Sequence, residues 1–186
     1  MIKNIQIRQA QVSDISSIQS LANCLVVKSR DLGKTTGFYN YFLTENQYFN
    51  RIASPFFFVA ENQDGLEGFC MGYDSEFLRA LTEKEKELRG DVILNCLLEL
   101  NPPWVYVDQF AVREPGTVTG SLIAYNLRNS VIDETRKANI HSILGAVVHK
   151  PWENTSAVKF VKKSGFQLQQ EVESKGILFG IYQLNL

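Results

Sequence analysis

The sequence is poor in the residues that build metal centres and disulfide frameworks. It has three cysteines and two histidines among 186 residues. Cys24, Cys70 and Cys96 lie far apart in apolar stretches, and an odd count without C-x-x-C spacing argues against a disulfide framework or a zinc site. Two histidines are too few for a histidine-rich metal site. We therefore expect no metal, and thiols that are buried in a reducing compartment.

Charge of one sign and long apolar runs are also scarce. Lys and Arg number 19 against 20 Asp and Glu, which gives a net charge of −1. No basic run of the nucleic-acid-binding type occurs. No apolar run is long enough to span a bilayer, and the N-terminus has no signal-peptide pattern. We expect a cytoplasmic protein that binds neither nucleic acid nor membrane.

What is present suffices for one domain with a real core, since 45% of the residues are hydrophobic and 21% are charged. Hydrophobic periodicity predicts the order β-α-α-β-β-insertion-β-α-β-α-β-β, with a helical insertion over residues 75–103. That order predicts an α/β (α+β) fold in which a mixed sheet has helices on both faces.

Local signals set the expected ends of several helices. Ser13 is the predicted cap of a first helix that ends near residues 31–33. A later helix is expected from Gly120. The last helix is expected to be capped by Asn154 or Thr155.

One strand–loop–helix unit has the features of an anion site. The β-prone run Trp104–Val112 leads through the loop Arg113–Thr119 into the helix at Gly120. A helix N-terminus offers free backbone N–H groups and a positive dipole end to a phosphate, and glycine lets the backbone approach it. Three hydroxyl side chains would add donors: Thr117, Thr119 and Ser121. A tight turn that only caps the helix is the alternative.

A spaced pattern follows in the last third of the chain. Asn154 is followed by Ala157, Val161, Gly165 and Phe166. Within a strand–loop–helix–strand order, this resembles the C-terminal half of the GNAT superfamily of N-acetyltransferases, whose pattern is Asn, Ala, an aromatic, Gly and Phe at those spacings. Four of the five positions match, and valine replaces the aromatic residue. The matching element order extends the resemblance over nearly the whole chain.

The resemblance implies one GNAT-like domain over residues 1–186, with a mixed, mostly antiparallel, strongly twisted sheet flanked by helices on both faces. It implies acetyl-CoA (coenzyme A) as co-substrate and no metal. The residues that the resemblance implies for cofactor binding are Phe110, Ala111, Val112, Thr117, Val118, Thr119, Gly120, Ser121, Asn154, Ala157 and Phe160.

The loop before the helix departs from the family's pyrophosphate loop, commonly [Arg/Gln]-x-x-Gly-x-[Gly/Ala]. With Gly120 in the last position, Val118 replaces the first glycine and proline replaces Arg or Gln. With Gly116 as the first glycine, Arg113 fits, but Val118 takes the last position. A reduced affinity for the cofactor and an altered loop path both stay open.

The implied reaction is direct attack of an amine on the thioester carbonyl. The amine must lose a proton, and the oxyanion needs a donor, for which a backbone N–H of the strand is a candidate. Asp108 is the leading candidate for the base because it lies mid-strand and shares a face with Tyr106. A purely local bond to a loop is the alternative for Asp108. Glu61 and His149, at strand ends, are weaker candidates.

The departing thiolate benefits from a nearby acid, and many family members have a tyrosine where this chain has Val161. Valine cannot donate a proton, so Tyr106, Tyr125 or water would take the role. The resemblance implies an N-acetyltransferase whose acceptor is a small-molecule amine or a protein amino group, and it leaves a homodimer open. The alternative is a catalytically weakened GNAT-like domain that binds acyl-CoA or a partner protein without turnover.

Nine aromatic residues lie within residues 38–58, where the family builds its acceptor wall. Such a wall favours an apolar or aromatic acceptor amine, and core packing is the alternative for most of the rings. The insertion at 75–103 could fold over the acceptor pocket as a lid or make an oligomer contact.

Overall fold

A computed structural model describes residues 4–27, 37–39 and 42–186. The helices are α1 Ile15–Cys24, α2 Glu45–Arg51, α3 Ser75–Lys84, α4 Val92–Leu98, α5 Val118–Lys137 and α6 Thr155–Lys163. The strands are β1 Gln6–Gln9, β2 Val26–Val27, β3 Phe38–Tyr39, β4 Phe57–Asn62, β5 Gly65–Asp74, β6 Val105–Val112, β7 Ser142–Lys150, β8 Gln167–Ser174 and β9 Ile177–Asn185. Two 3-10 turns cover Val12–Asp14 and Lys86–Gly90.

Seven strands form the main sheet in the order β1-β4-β5-β6-β7-β9-β8. Each neighbouring pair is antiparallel except β6 and β7, which are parallel. The short strands β2 and β3 pair separately and in parallel. The predicted fold class, a mixed and mostly antiparallel sheet with flanking helices, is confirmed.

Helices cover both faces of the sheet, and each face has its own core. On what we call the α1–α4 face, each of the first four helices contributes a buried side chain to one apolar cluster: Ile18, Tyr48, Leu78 and Leu97. On the α5–α6 face, a second cluster takes Ile123 and Leu127 from α5, and Phe160 of α6 packs against it. Burial of this apolar surface on two sides is the main force that holds the layers together.

Residues 75–98 form the helical segment α3–α4, which packs on the α1–α4 face. A buried ion pair joins the middle of this segment to α2. The two terminal nitrogens of the Arg51 guanidinium, Nη1 and Nη2, donate to the Glu85 carboxylate at 2.8 and 3.0 Å. At its far end, Gln170 of β8 donates to the Cys96 sulfur at 2.8 Å. The segment therefore reaches from α2 to the last hairpin. That it is an insertion relative to the family stays a prediction.

Two of the predicted helix boundaries are wrong. Ser13 does not cap α1: Gln11 and Asp14 form a capping box around the preceding 3-10 turn, which contains Ser13. The helix ends at Cys24, since the backbone becomes extended in Val26–Val27; the predicted end at 31–33 lies outside the described residues.

At α5 the expected start is two residues late. Thr117 is extended, and its hydroxyl accepts the Gly120 N–H, so the helix begins at Val118. The two predictions at α6 agree with the structure. Asn154 caps the helix, and Gly165, with a φ of 88°, follows its last turn.

Most of the aromatic residues at 38–58 that the structure describes belong to the core. Tyr48 and the run 56–58 are buried. Phe42 and Phe49 are exposed, and Tyr41 lies outside the described residues. Core packing therefore accounts for the buried rings.

Candidate active site

The parallel strands β6 and β7 separate halfway along their length. They pair only from Val105 opposite Ile143 to Val107 opposite Gly145. Beyond these residues β6 continues for five more residues and β7 for five more, and the two are not paired with each other. Gly145 has no side chain, and a Cβ there would meet only the Val107 carbonyl oxygen, at 4.0 Å. The sheet thus opens next to the middle of β6.

Asp108 lies where the two strands separate, as the extra residue of a β-bulge. Opposite β5, Gln109 pairs with Met71 and Val107 pairs with Gly72, so the strand register skips Asp108. A bulge turns two consecutive side chains toward one face. The Asp108 carboxylate accepts a hydrogen bond from the Tyr73 hydroxyl. Asp108 and Gln109 therefore both face the α1–α4 side, together with Tyr106.

Phenols surround this carboxylate. Burial raises the pKa of Tyr106 well above its ordinary value, and the charges of Asp108 and Asp91 raise it further. Burial likewise raises the pKa of Tyr48, with a second contribution from Asp108. Both hydroxyls stay protonated at neutral pH. The Tyr48 hydroxyl donates its hydrogen to Gln109, so of these two phenols Tyr106 is the donor available to a negative charge.

The start of α5 lies just after β6 and presents backbone donors. The N–H of Gly120 is bound by the Thr117 hydroxyl at 3.0 Å, and the N–H of Ser121 by the Thr117 carbonyl at 2.9 Å. Within the described part of the chain, the N–H groups of Val118 and Thr119 have no partner, as expected for the first turn of a helix. Val118 is 89% exposed. Two adjacent donors and the helix dipole make this end suitable for an anion.

The path of the loop before α5 requires glycine at position 120, and the sequence did not indicate this requirement. A Cβ at this position would fall on the carbonyl oxygen of Glu114, because the loop folds back against the helix. Arg113, the basic side chain of the loop, donates to the Leu66 carbonyl oxygen at 2.6 Å. Glycine therefore serves the path of the loop here, and the guanidinium is held by the protein itself.

Helix α6 contacts β6 through aromatic side chains. The rings of Phe110 and Phe160 lie 5.2 Å apart, and Tyr125 of α5 lies 5.5 Å from Phe160. Both polar atoms of the Asn154 side chain form hydrogen bonds within the protein. Its Oδ1 accepts the Ala157 N–H and its Nδ2 donates to the Gly37 carbonyl, both at 3.0 Å. The structure thus brings two of the predicted aromatic residues together and gives Asn154 a capping role.

The two weaker candidates for the base have local partners. His149 binds the Glu171 carboxylate at 2.6 Å through Nδ1 and the Tyr182 hydroxyl at 3.0 Å through Nε2. Its ring lies over Gly180, where a Cβ would collide with it. Glu61 binds both nitrogens of one edge of the Arg8 guanidinium at 2.8 Å. These bonds join each side chain to a neighbouring strand: His149 to β8 and β9, and Glu61 to β1.

The remaining predicted cofactor residues lie around the opening. Ala111 and Val112 are buried in the last part of β6, on opposite faces. Thr119 and Ser121 are exposed at the start of α5. Their role in cofactor binding stays a prediction.

Sequence reasoning missed Tyr73 and Gln109. Tyr73 belongs to a different strand, and no local signal places its hydroxyl on Asp108. Gln109 interrupts an apolar, β-prone run, and that polar residue was the available signal for a second functional side chain.

Two negative findings apply to the described ranges. They contain no cluster of three or more His, Cys, Asp or Glu side chains that could bind a metal ion. None of their helices combines the length and the apolar character needed to cross a membrane.

No protein-family model matches the chain, and no curated protein has a significant sequence match. Solved structures do match. Naa50 of Arabidopsis thaliana, in complex with the bisubstrate analogue CoA-Ac-MVNAL, superimposes with a TM-score of 0.65 at 19% identity, covering 98% of this chain and 99% of that one. A polyamine N-acetyltransferase of Drosophila melanogaster gives 0.67 at 14% identity over 98% and 100%.

An N-acetyltransferase of Staphylococcus aureus gives a TM-score of 0.64 at 16% identity, with 98% of each chain covered. Coverage of both chains is nearly complete in all three cases, so the likeness concerns the whole architecture and not a shared motif. The chain has the fold of the GNAT superfamily of N-acetyltransferases, as its sequence resemblance predicts.

Proposed function

We propose that this protein is an acetyl-CoA-dependent N-acetyltransferase that acetylates an amine by direct transfer. The observation that carries the proposal is the separation of β6 from β7 immediately beside the half-buried carboxylate of Asp108. An opening between two strands lets an extended ligand pair with the free strand edge as an added strand would. The acetyl-CoA arm is a ligand of that shape.

The residues around the opening suit coenzyme A. The free edge of β6 beyond Val107 would bind the pantetheine amides. The unpaired N–H groups of Val118 and Thr119 would bind a pyrophosphate oxygen at the positive end of α5. The rings of Phe110 and Phe160 would contact the arm from the α5–α6 face.

Asp108 would act as the base. An ammonium has no lone pair, so its proton must move to the carboxylate before or during attack on the thioester carbonyl. The new C–N bond forms as the C–S bond breaks, and the thiolate leaves with its electron pair. It takes up the second proton that the nitrogen loses as the amide forms. Tyr73 holds the carboxylate on the α1–α4 side, from which the acceptor would enter.

The acceptor class rests on the structural neighbours. Naa50 was solved with a peptide-based bisubstrate analogue, and two other neighbours are an agmatine N-acetyltransferase and a polyamine N-acetyltransferase. These acceptors share a primary amine. We therefore propose an amine of a small molecule or a protein as the acceptor.

Melting curves test the cofactor part of the proposal. Millimolar acetyl-CoA or CoA should raise the melting temperature by mass action, by an amount that grows with concentration. ATP at the same concentration is the control for nonspecific anion binding. If neither CoA compound shifts the curve more than ATP does, the proposal is wrong. Thiol release in the presence of a panel of amines then tests for transfer.

A second candidate is a GNAT-like domain that binds acyl-CoA without turnover. Two observations favour it. Val161, at the position where the family often has its acid, packs against the apolar cluster of the buried residues Val147, Val158 and Tyr182. The Arg113 guanidinium donates to a backbone carbonyl. This candidate predicts a melting shift with acetyl-CoA and no thiol release with any amine of the panel.

A further inference from the structure

Gln109 is a buried amide with one atom left unpaired. The residue is 1% exposed. Its Oε1 accepts a hydrogen bond from the Tyr48 hydroxyl at 2.8 Å. Its Nε2 is buried and has no hydrogen-bond partner among the described residues. A buried donor without a partner costs about 1–3 kcal/mol, so its presence in a native core calls for an explanation.

The position of Gln109 connects it with the candidate base. The bulge of β6 places it directly after Asp108 and on the same face of the sheet. The Asp108 charge also acts on the phenol of Tyr48, to which Gln109 is bonded. The amide of Gln109 and the carboxylate of Asp108 therefore belong to consecutive residues and lie on the same face of the sheet.

Packing alone does not require glutamine here. The Tyr48 hydroxyl needs an acceptor at this position, and Oε1 supplies it. Nε2 has no such role, because no described residue accepts from it and its burial is costly. The amide is useful if a molecule that enters beside Asp108 brings an acceptor oxygen. Resting on the proposed function, that molecule is the amine substrate.

We propose that Gln109 determines acceptor specificity by donating from Nε2 to a carbonyl oxygen on the carbon next to the reactive amine. Asp108 then takes the ammonium proton while Gln109 binds the neighbouring carbonyl. The acceptor is an α-amino carbonyl compound, as at the N-terminus of a peptide. Simple alkylamines and agmatine offer no such oxygen, because their ammonium and guanidinium groups are donors only.

Matched amines test this specificity. L-alaninamide has the carbonyl, and sec-butylamine has the same branching without it. In the wild type we expect kcat/KM to favour L-alaninamide by at least about tenfold, the equivalent of one hydrogen bond to a buried group. Gln109→Met should reduce that preference to near one, mainly through a higher KM for L-alaninamide.

A melting measurement excludes misfolding as the cause. Gln109→Met removes an unpaired buried donor but also the acceptor of the Tyr48 hydroxyl, and these two changes act on stability in opposite directions. A cooperative melting transition above the assay temperature shows that the variant is folded. If the variant keeps the preference, or if the wild type shows none, the inference is wrong. A fall in kcat of the same size for both amines would also overturn it, because it would assign Nε2 to the thioester oxygen.

Binding without turnover separates this inference from the proposed function. The melting shift caused by each amine is measured with CoA present, in the wild type and in Gln109→Met. A larger shift with L-alaninamide that the variant loses supports the inference even if no thiol is released. No difference between the two amines at tens of millimolar overturns it, whatever the result for acetyl transfer.

Discussion

The Tyr73 hydroxyl on β5 donates a hydrogen bond to the Asp108 carboxylate at the bulge of β6. Tyr73 is 1% exposed, and its ring stacks on Phe77 of α3 with centroids 5.8 Å apart. The orientation of the candidate base is therefore fixed by a buried side chain of the neighbouring strand. That side chain in turn packs against the helical segment α3–α4.

Replacement of the base should affect the rate and not cofactor binding. Asp108→Asn keeps the shape and removes the proton acceptor, so we expect kcat to fall by about 10²- to 10⁴-fold. The melting shift caused by acetyl-CoA should persist, because the strand edge is unchanged. Thiol-release kinetics and melting curves measure the two effects. Unchanged turnover would exclude Asp108 as the base.

Tyr73→Phe tests the orienting bond separately. The phenylalanine keeps the ring that stacks on Phe77 but leaves the carboxylate without this donor. We expect a smaller loss of kcat than with Asp108→Asn, of about tenfold, since the base is present but less well oriented. Thiol-release assays measure the loss, and an effect as large as that of Asp108→Asn would give Tyr73 more than a positioning role.

The buried ion pair between α2 and α3–α4 should carry much of the stability of this face. Glu85→Gln leaves the Arg51 charge, 1% exposed, without its counter-charge. We expect a loss of about 3–5 kcal/mol in the free energy of unfolding, measured by denaturant titration. Glu83→Gln is the matched control, because that exposed residue should change stability by less than about 0.5 kcal/mol. Equal effects of the two variants would contradict the prediction.

The Arg8–Asp14 pair should make stability depend on pH. The hydrogen bond from Arg8 holds the pKa of Asp14 below its ordinary value of 3.8. The stabilisation is therefore fully present above the unfolded-state pKa and is lost as the pH falls through the lower folded-state pKa. Asp14→Asn should cost about 1 kcal/mol at pH 7, and the cost should be smaller at pH 2.

Denaturant titrations at both values check this. Asn can still accept the Gln11 N–H that Asp14 binds at 2.8 Å. Its amide nitrogen replaces an oxygen that accepts from Arg8, so the substitution removes the charge together with one hydrogen bond of the pair. Asp133→Asn, at an exposed position of α5, is the control. A difference between Asp14→Asn and wild type that is as large at pH 2 as at pH 7 would assign the effect to packing.

Gly120→Ala should disturb the loop before α5. Its Cβ would collide with the Glu114 carbonyl, so the loop must move. We expect a loss of about 1–3 kcal/mol in stability and a weaker melting shift with acetyl-CoA. Gly90→Ala, where a Cβ meets nothing within 4 Å, is the control and should leave both measurements near wild type. An unchanged acetyl-CoA shift in Gly120→Ala would show that the loop position does not matter for binding.

Local signals in the sequence determined the layered α/β architecture and several helix ends. Asn154 caps α6 and Gly165 ends it because both act through hydrogen bonds within a few residues. The β-prone run that became β6 could be recognised for the same reason, since period-two alternation is a property of one strand. The same alternation correctly placed Asp108 on one face with Tyr106.

The tertiary structure alone decided the geometry of the candidate site. The bulge at Asp108 exists only relative to the register of β5, and the opening beside it depends on where β7 stops pairing with β6. Tyr73 and Gln109 acquire their roles from these long-range pairings, which no local periodicity encodes. Ser13 failed as a cap because Gln11 and Asp14 close a 3-10 turn around it. The chain thus encodes its elements through neighbours in sequence, and its candidate site through neighbours across the sheet.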